Sequence, residues 1–132
     1  MRSVIFLLGA LALAACGGHP HPHPPAFDAS ALAARIDKVL GDLAAATQQH
    51  EADCPQMLDE LERILAAAQQ PIADVRAAQA DPEHARQLTT AMRAYDDHGR
   101  SDAIAIGLAV CFRQHRELQD RVQRVVDSMP TL

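Results

Sequence analysis

Three histidines near the start of the chain lie close enough together to act as ligands for one ion. His19, His21 and His23 alternate with prolines in the segment that reads Gly-His-Pro-His-Pro-His-Pro-Pro. Imidazole binds Zn²⁺, Cu²⁺ and Ni²⁺ well, so this spacing could provide a weak and unselective transition-metal site. The alternative is a polar spacer, because nothing in the sequence holds the three rings in one geometry.

Two further histidines lie in line with the apolar residues that form one face of a predicted helix, which we call its apolar stripe. His115 lies four residues after Cys111 and so shares its helix face, and His50 continues the stripe of the first predicted helix. Haem and metal sites of helical bundles are built from facing helices, which leaves open a metal- or haem-binding carrier or sensor. The alternative for His115 is an imidazole at the edge of the core that bonds to the backbone or to an acid. Met57 and Met92 also lie near the stripes, where methionine usually fills gaps in a core.

Residues that could perform catalysis are not grouped in any known motif. Asp96, Asp97 and His98 place carboxylates beside an imidazole, which is a pair that can do acid–base chemistry, but they precede Gly99 in a polar turn. The chain contains no nucleophile elbow, phosphate-binding loop or dinucleotide fingerprint. Its net charge of −5 over 132 residues argues against nucleic-acid binding, which depends on Lys and Arg. We therefore expect that the protein is not an enzyme and that it has no nucleic-acid partner.

The N-terminus has the pattern of an export signal. A basic start is followed by eleven mostly apolar residues, 4–14, whereas a helix needs roughly 20 to cross a bilayer. The sequence Leu13-Ala14-Ala15-Cys16 resembles the lipobox of bacterial lipoproteins, with Leu at −3, small residues at −2 and −1, and then Cys. This resemblance covers residues 1–18 only.

The lipobox resemblance implies cleavage before Cys16, a diacylglycerol on its sulfur and an acyl chain on its new amino group. Two or three chains anchor a protein stably, because each buried CH₂ contributes about 0.8 kcal/mol. Residue 17 is Gly instead of the Asp that retains enterobacterial lipoproteins in the inner membrane, which by analogy favours the outer membrane. The domain would face the periplasm or the cell surface. Ordinary secretion is the alternative.

Composition divides the chain into three parts. We predict a signal peptide over residues 1–15, the lipidated Cys and a tether over 16–26, and a helical domain over 27–132. Alternating prolines favour extended polyproline II, so ten tether residues would reach roughly 30 Å at about 3.1 Å each. The domain is rich in alanine, the best helix former, and the whole chain contains 26 alanines.

Apolar residues recur at helical spacing in four segments of the domain. The first begins at Asp28 or Ser30 and ends near His50, and the second begins at Pro55. The third begins with Asp81 and Pro82 and ends at Gly99, and the fourth runs over 101–128. The predicted fold is an all-α, antiparallel bundle of about four helices. A helical hairpin that completes its core by dimerising is the rival architecture, so the chain could be a monomer or a homodimer.

Two cysteines remain if Cys16 carries the lipid, and they most simply pair with each other. Disulfides persist outside the cytoplasm, and the chain has no CxxC redox motif, although a reactive thiol is an alternative. On level, ideal helices Cys54 and Cys111 would differ in height by roughly 15 Å, whereas a disulfide needs Cα atoms within about 7 Å. The predicted bond therefore requires staggered helix ends and a break near Pro71, where proline disrupts the helix.

These patterns predict a lipid-anchored protein of the cell envelope that acts as a structural or protein-interaction module. Its expected partners are the membrane, through Cys16, and an unidentified envelope protein. The alternative is a periplasmic carrier or sensor that binds a divalent transition metal or haem through the tether histidines or through His50 and His115.

Overall fold

The structure is a computed structural model that describes residues 26–131, and this part of the chain is helical. No β-strand occurs within it. Six α-helices follow one another as α1 Ala29–Gln49, α2 Cys54–Ala67, α3 Gln69–Gln79, α4 Pro82–Met92, α5 Arg100–Gln114 and α6 Gln119–Ser128, with a 3₁₀ turn at Arg116–Leu118. The all-α prediction is confirmed, but six helices stand where four segments were expected.

Aspartate side chains begin three of the helices. The carboxylates of Asp28, Asp53 and Asp81 accept hydrogen bonds of 2.8–3.0 Å from backbone N–H groups two or three residues further on. Such caps satisfy donors that the first helical turn leaves free. The predicted helix starts at Asp28 and at Asp81 with Pro82 are confirmed, and α2 begins one residue before Pro55.

The predicted break near Pro71 is present between α2 and α3. Pro71 is the third residue of α3, and α2 ends four residues before it, at Ala67. Proline lacks an N–H donor and its ring clashes with the carbonyl four residues earlier, which accounts for the position of the break. Ala68 joins the two helices and donates its N–H to the carbonyl groups of Ile64 and Leu65.

The third predicted segment is shorter than expected. Helix α4 ends at Met92, and Gly99 precedes α5 with a left-handed φ of 74° instead of ending a helix. The Asp97 carboxylate accepts hydrogen bonds from the Ser101 N–H at 3.1 Å and from its hydroxyl at 2.8 Å. These bonds lower the pKa of Asp97 and hold the first turn of α5. The prediction that Gly99 is a C-terminal cap is therefore wrong, because Asp97 makes this turn a helix start.

The fourth predicted segment is interrupted at His115. Its backbone leaves the helical conformation, with φ −124° and ψ 85°, and α6 begins after the 3₁₀ turn. Gln119 donates from Nε2 to the Phe112 carbonyl at 3.0 Å, which satisfies an acceptor freed by the end of α5. The expected single helix over 101–128 is wrong, since the chain folds back to bury Val122 and Val125.

Helix α1 is the central element, and it contacts α2, α3, α4 and α5. It has 21 residues and is therefore about 32 Å long. The Arg100 guanidinium, at the start of α5, donates to the Asp37 carboxylate at 2.6 Å. Further along both helices, Gly107 lies against the Thr47 side chain, so close that a Cβ at residue 107 would overlap the Thr47 methyl group. Helix α5 thus runs in the same direction as α1.

Buried apolar residues form two separate clusters. The disulfide core contains Val39, Leu43, Ala44, Ala46, Cys54, Met57, Leu58, Leu61, Ile64, Leu65, Ala68, Ile72, Ile104, Leu108, Cys111, Val122 and Val125. The N-terminal core contains Leu32, Ala33, Ile36, Val75, Ala78 and Leu88. Helix α1 contributes to both, so it connects the two ends of the domain.

Candidate protein-interaction surface

Cys54 and Cys111 form a disulfide bond, as the sequence predicts. Cys54 is the first residue of α2 and Cys111 lies in the last turn of α5. The sulfurs are 2.01 Å apart and the Cα atoms 5.6 Å apart. Both residues are buried in the disulfide core. The bond is therefore part of the scaffold and offers no thiol for chemistry.

The direction of α5 explains how the two cysteines meet. The expected mismatch of roughly 15 Å assumed level helices, with Cys111 about ten residues along its segment. Helix α5 instead runs in the same direction as α1, so its end lies beside the end of α1, where α2 begins. Cys111, in the last turn of α5, therefore meets Cys54 at the start of α2. The break near Pro71 is present as predicted.

The domain histidines named as possible ligands lie at helix ends. His50 is the residue after α1, and His115 is the residue after α5. The Nδ1 atom of His115 is 3.2 Å from Oε1 of Glu117, the acid partner of a half-buried imidazole. Among residues 26–131 no group of three or more His, Cys, Asp and Glu side chains could hold a metal ion. Met57, which also lies on a predicted stripe, is a buried core residue.

Other predicted sites lie outside the described residues. These are the signal peptide over 1–15, the tether apart from Ala26, the lipidation site Cys16, and the tether histidines His19, His21 and His23. From residue 26 to residue 131, no helix combines the length and the apolar character that crossing a bilayer would demand.

Helices α5 and α6 expose an apolar surface. Ile106 is 63% exposed, Val126 45% and Phe112 40%, although each is a large hydrophobic residue. Ala105 and Ala109 are also exposed on α5. We call the surface formed by these five residues the α5–α6 face. A groove of about 530 Å³ runs along it, with Leu108 and Val122 in its lining. Apolar surface beside a groove is suited to contact with a protein.

Opposite charges flank the centre of this face. Asp102, Ile106, Ala109 and Arg113 are all exposed, and their spacing of four, three and four residues places them on one side of α5. We call these four residues the outer stripe. The Nε atom of Arg113 donates to the Ala109 carbonyl at 3.2 Å, so the guanidinium lies back along the helix. The acid is at one end of the stripe and the base is at the other.

A second groove separates α6 from the bend between α2 and α3. It has a volume of about 660 Å³ and its apolar lining includes Leu65, Ile72 and Val125. Arg121 of α6 lies in the same region, and its guanidinium donates to both oxygens of the Glu62 carboxylate, at 2.8 and 2.7 Å. The hydrogen bond from Arg121 lowers the pKa of Glu62. This ion pair joins α6 to α2, so we assign it to the scaffold.

The α5–α6 face is absent from the sequence-based predictions, which rest on the buried apolar stripe of each helix. Ile106 and Phe112 lie outside the stripe of Ile104, Leu108 and Cys111, which the structure buries. A large apolar residue on the polar side of an amphipathic helix is itself a signal of a contact surface. That signal was available in the sequence at both positions.

No family model matches the chain, and neither a curated protein nor a solved structure does.

Proposed function

We propose that this chain is a lipid-anchored protein of the cell envelope whose helical domain acts as a protein-interaction module. The observation that carries the proposal is the α5–α6 face, where Phe112 and Val126 line a groove and Ile106 is exposed on the outer side of α5. Exposed apolar side chains lose contact with water when a partner covers them, which is the main driving force for association. The polar residues around the face provide the rim typical of such surfaces.

Anchoring through Cys16 is supported by the lipobox resemblance and by the presence of a disulfide in the domain. A bond such as Cys54–Cys111 forms and persists outside the reducing cytoplasm, which is where a lipoprotein domain folds. The Gly at residue 17 favours the outer membrane by analogy with enterobacterial lipoproteins. The tether would then hold the domain within roughly 30 Å of the bilayer, facing the periplasm or the cell surface.

The scaffold that we propose is an antiparallel bundle of four rods, namely α1, α2 with α3, α4 with α5, and α6. The contact of Arg100 with Asp37 and that of Gly107 with Thr47 support a shared direction for α1 and α5. The contact of Arg121 with Glu62 joins α6 to α2. Each rod would return along the previous one, and α5 and α6 would present their outer sides together.

The proposed role is non-enzymatic. The carboxylate of Asp96 and the ring of His98 lie 3.3 Å apart, but both side chains are about three-quarters exposed on the loop before α5. An exposed pair of this kind is accessible to water, whereas acid–base catalysis depends on an enclosed site with a positioned substrate. Binding through an apolar face requires no such site.

Membrane partition tests the anchor. Cys16→Ser removes the sulfur that would carry the diacylglycerol, so we expect the chain to leave the membrane fraction. Gly17→Asp is the matched control, since it retains the cysteine and should stay in membranes while moving towards the inner one. Unchanged membrane partition of Cys16→Ser would overturn the anchoring proposal.

Site-specific photo-cross-linking in cells tests the interaction surface. A photoreactive residue at Phe112 should form adducts of defined mass, because this side chain lies on the α5–α6 face. Thr90 on α4 is also exposed and provides a control outside that face. Absence of adducts at residue 112, or equal labelling at residue 90, would contradict the proposed surface.

A further inference from the structure

We propose that a second copy of this chain covers the α5–α6 face, with the two α5 helices packed antiparallel. This inference rests on the proposed function, since it names the partner of the same surface. A twofold dimer uses one patch on both subunits, so each contact from residue i to residue j occurs twice. The patch must therefore be complementary to itself.

The outer stripe of α5 has this self-complementarity. Asp102 and Arg113 are placed symmetrically about the midpoint between residues 107 and 108, and so are Ile106 and Ala109. Antiparallel pairing about that midpoint brings Asp102 against Arg113 of the partner subunit, and the same pair recurs by symmetry. Parallel pairing would place Asp102 beside Asp102 of the partner subunit, and these like charges would repel each other. The charges thus favour the antiparallel arrangement and determine its register.

The centre of the stripe has complementary sizes as well as charges. Ile106 projects a large side chain that is 63% exposed, whereas Ala109 has a single methyl group. In the antiparallel register Ile106 faces Ala109 of the partner subunit, so a large side chain meets a small one at both positions. The Ala105 side chain is also a single methyl group, which allows the backbones of the two helices to approach closely.

The rest of the face completes the contact. Phe112 and Val126 are exposed beside Ala109, and the groove between α5 and α6 is open on that side. Ile106 of the partner subunit would lie at the edge of this groove. The second copy then removes Ile106 from water at the centre of the contact, with Phe112 and Val126 at its margin. A different envelope protein on this face is the competing outcome.

Sedimentation of the full-length chain carrying Cys16→Ser, which avoids the lipid, tests the proposal. We expect the protein to form dimers in a concentration-dependent manner. Asp102→Arg and Arg113→Asp should each weaken dimerisation by about tenfold or more, because each variant faces like charges twice. Mixing the two variants should restore association as a heterodimer, since both charge pairs are then opposite. The double variant Asp102→Arg/Arg113→Asp should restore the homodimer.

Charge reversal at a helix end also weakens the helix itself, so a matched control is needed. Arg76 lies in the last turn of α3 as Arg113 lies in the last turn of α5, but it is outside the α5–α6 face. Arg76→Asp should leave dimerisation unchanged. Circular dichroism of each variant separates loss of helix from loss of association.

Two results would overturn the second copy as partner. One is a Cys16→Ser chain, without charge changes, that stays monomeric at the highest concentration reached, and the other is a dimer that is insensitive to the charge variants. If the chain is monomeric and residue 112 still cross-links another protein in cells, the second copy is excluded while the interaction surface stands. If residue 112 gives no adduct either, both proposals fail.

Discussion

The two cores of the domain are built very differently. The disulfide core joins seventeen buried residues and is closed by the Cys54–Cys111 bond. The N-terminal core has six buried residues, and partly buried side chains such as Phe27, Met92 and Tyr95 complete it. Local stability follows the amount of buried apolar contact, so α3 and α4 should open more readily than α2 and α5. The covalent bond thus reinforces the half that is already better packed.

Helix α1, helix α3 and the Asp37–Arg100 ion pair connect the two halves. Leu32 and Ile36 of α1 belong to the N-terminal core, whereas Leu43 belongs to the disulfide core. Between them, Asp37 receives the Arg100 guanidinium, and both side chains are largely shielded from water. We expect α4 to open most readily, because its one buried residue, Leu88, belongs to the N-terminal core, whereas α3 is also held by Ile72 in the disulfide core. The proposed interaction surface lies on the more stable half, which would keep it in place.

The largest contrast should come from leucine truncation in each core. Leu61→Ala removes a fully buried side chain from the disulfide core and should lower the free energy of unfolding by about 3–5 kcal/mol. Leu88→Ala, in the smaller and more open N-terminal core, should cost about 2–3 kcal/mol, since α4 can relax around the site. Chemical denaturation measures both changes. Equal costs, with equal hydrogen exchange in α2 and α4, would contradict the difference between the cores.

Removal of the disulfide should affect one half selectively. The double variant Cys54→Ala/Cys111→Ala should destabilise the domain by about 2–4 kcal/mol and lower Tm by roughly 10–20 °C. Helix content should persist, because the apolar clusters remain, and hydrogen exchange should rise mainly in α2 and α5. Titration of the denatured, unreduced wild-type chain is the check on the bond itself. Two free thiols in the domain would refute it, and a non-reducing gel excludes pairing between chains.

Two glycines should respond to alanine with opposite signs. At Gly107 a new Cβ overlaps the buried, β-branched Thr47, so we expect a loss of about 1–2 kcal/mol. At Gly41 the nearest atom outside α1 is Nη1 of Arg100 at 3.5 Å, so higher helix propensity should stabilise by up to about 1 kcal/mol. Thermal melts of both variants measure the difference. Thr47→Ser, which removes the overlapping methyl group, should rescue Gly107→Ala, and failure of the rescue would rule out the overlap as the cause.

Acid should produce the smallest change, at the contact between α2 and α6. Folding lowers the pKa of Glu62 below its ordinary 4.5 through the Arg121 hydrogen bond. The stabilisation is therefore complete above that value and is lost as pH falls through the folded-state pKa. Arg121→Gln should cost less than about 1 kcal/mol at pH 7, because the pair is partly exposed, and should make stability less pH-dependent below about 4.5. Lys38→Gln, which breaks an exposed ion pair with Asp42 inside α1, serves as the control. If Arg121→Gln loses stability in acid as steeply as the wild type does, the Arg121–Glu62 pair is not the cause of that loss.

Local chemistry accounts for the features that the sequence predicted correctly. An Asp followed by a helical pattern specifies a cap at Asp28 and Asp81, because the carboxylate satisfies N–H groups only a few residues away. Pro71 specifies a break through its own ring and its missing donor. The pairing of Cys54 with Cys111 followed from the proposed compartment and the number of cysteines. Each of these depends on short-range interactions or on counting.

Only the tertiary structure determined where the helices end and which surface stays open. Nothing between Arg113 and Glu117 forbids a helix, yet the chain breaks at His115, since Val122 and Val125 are buried only if α6 turns back. Gly99 resembles a helix end in the sequence, but Asp97 and Ser101 make it the start of α5. The spacing of apolar residues and the composition of the chain identify the residues that are able to form helices and cores. Which of them are buried depends on contacts between distant segments, and those contacts leave Ile106 and Phe112 exposed.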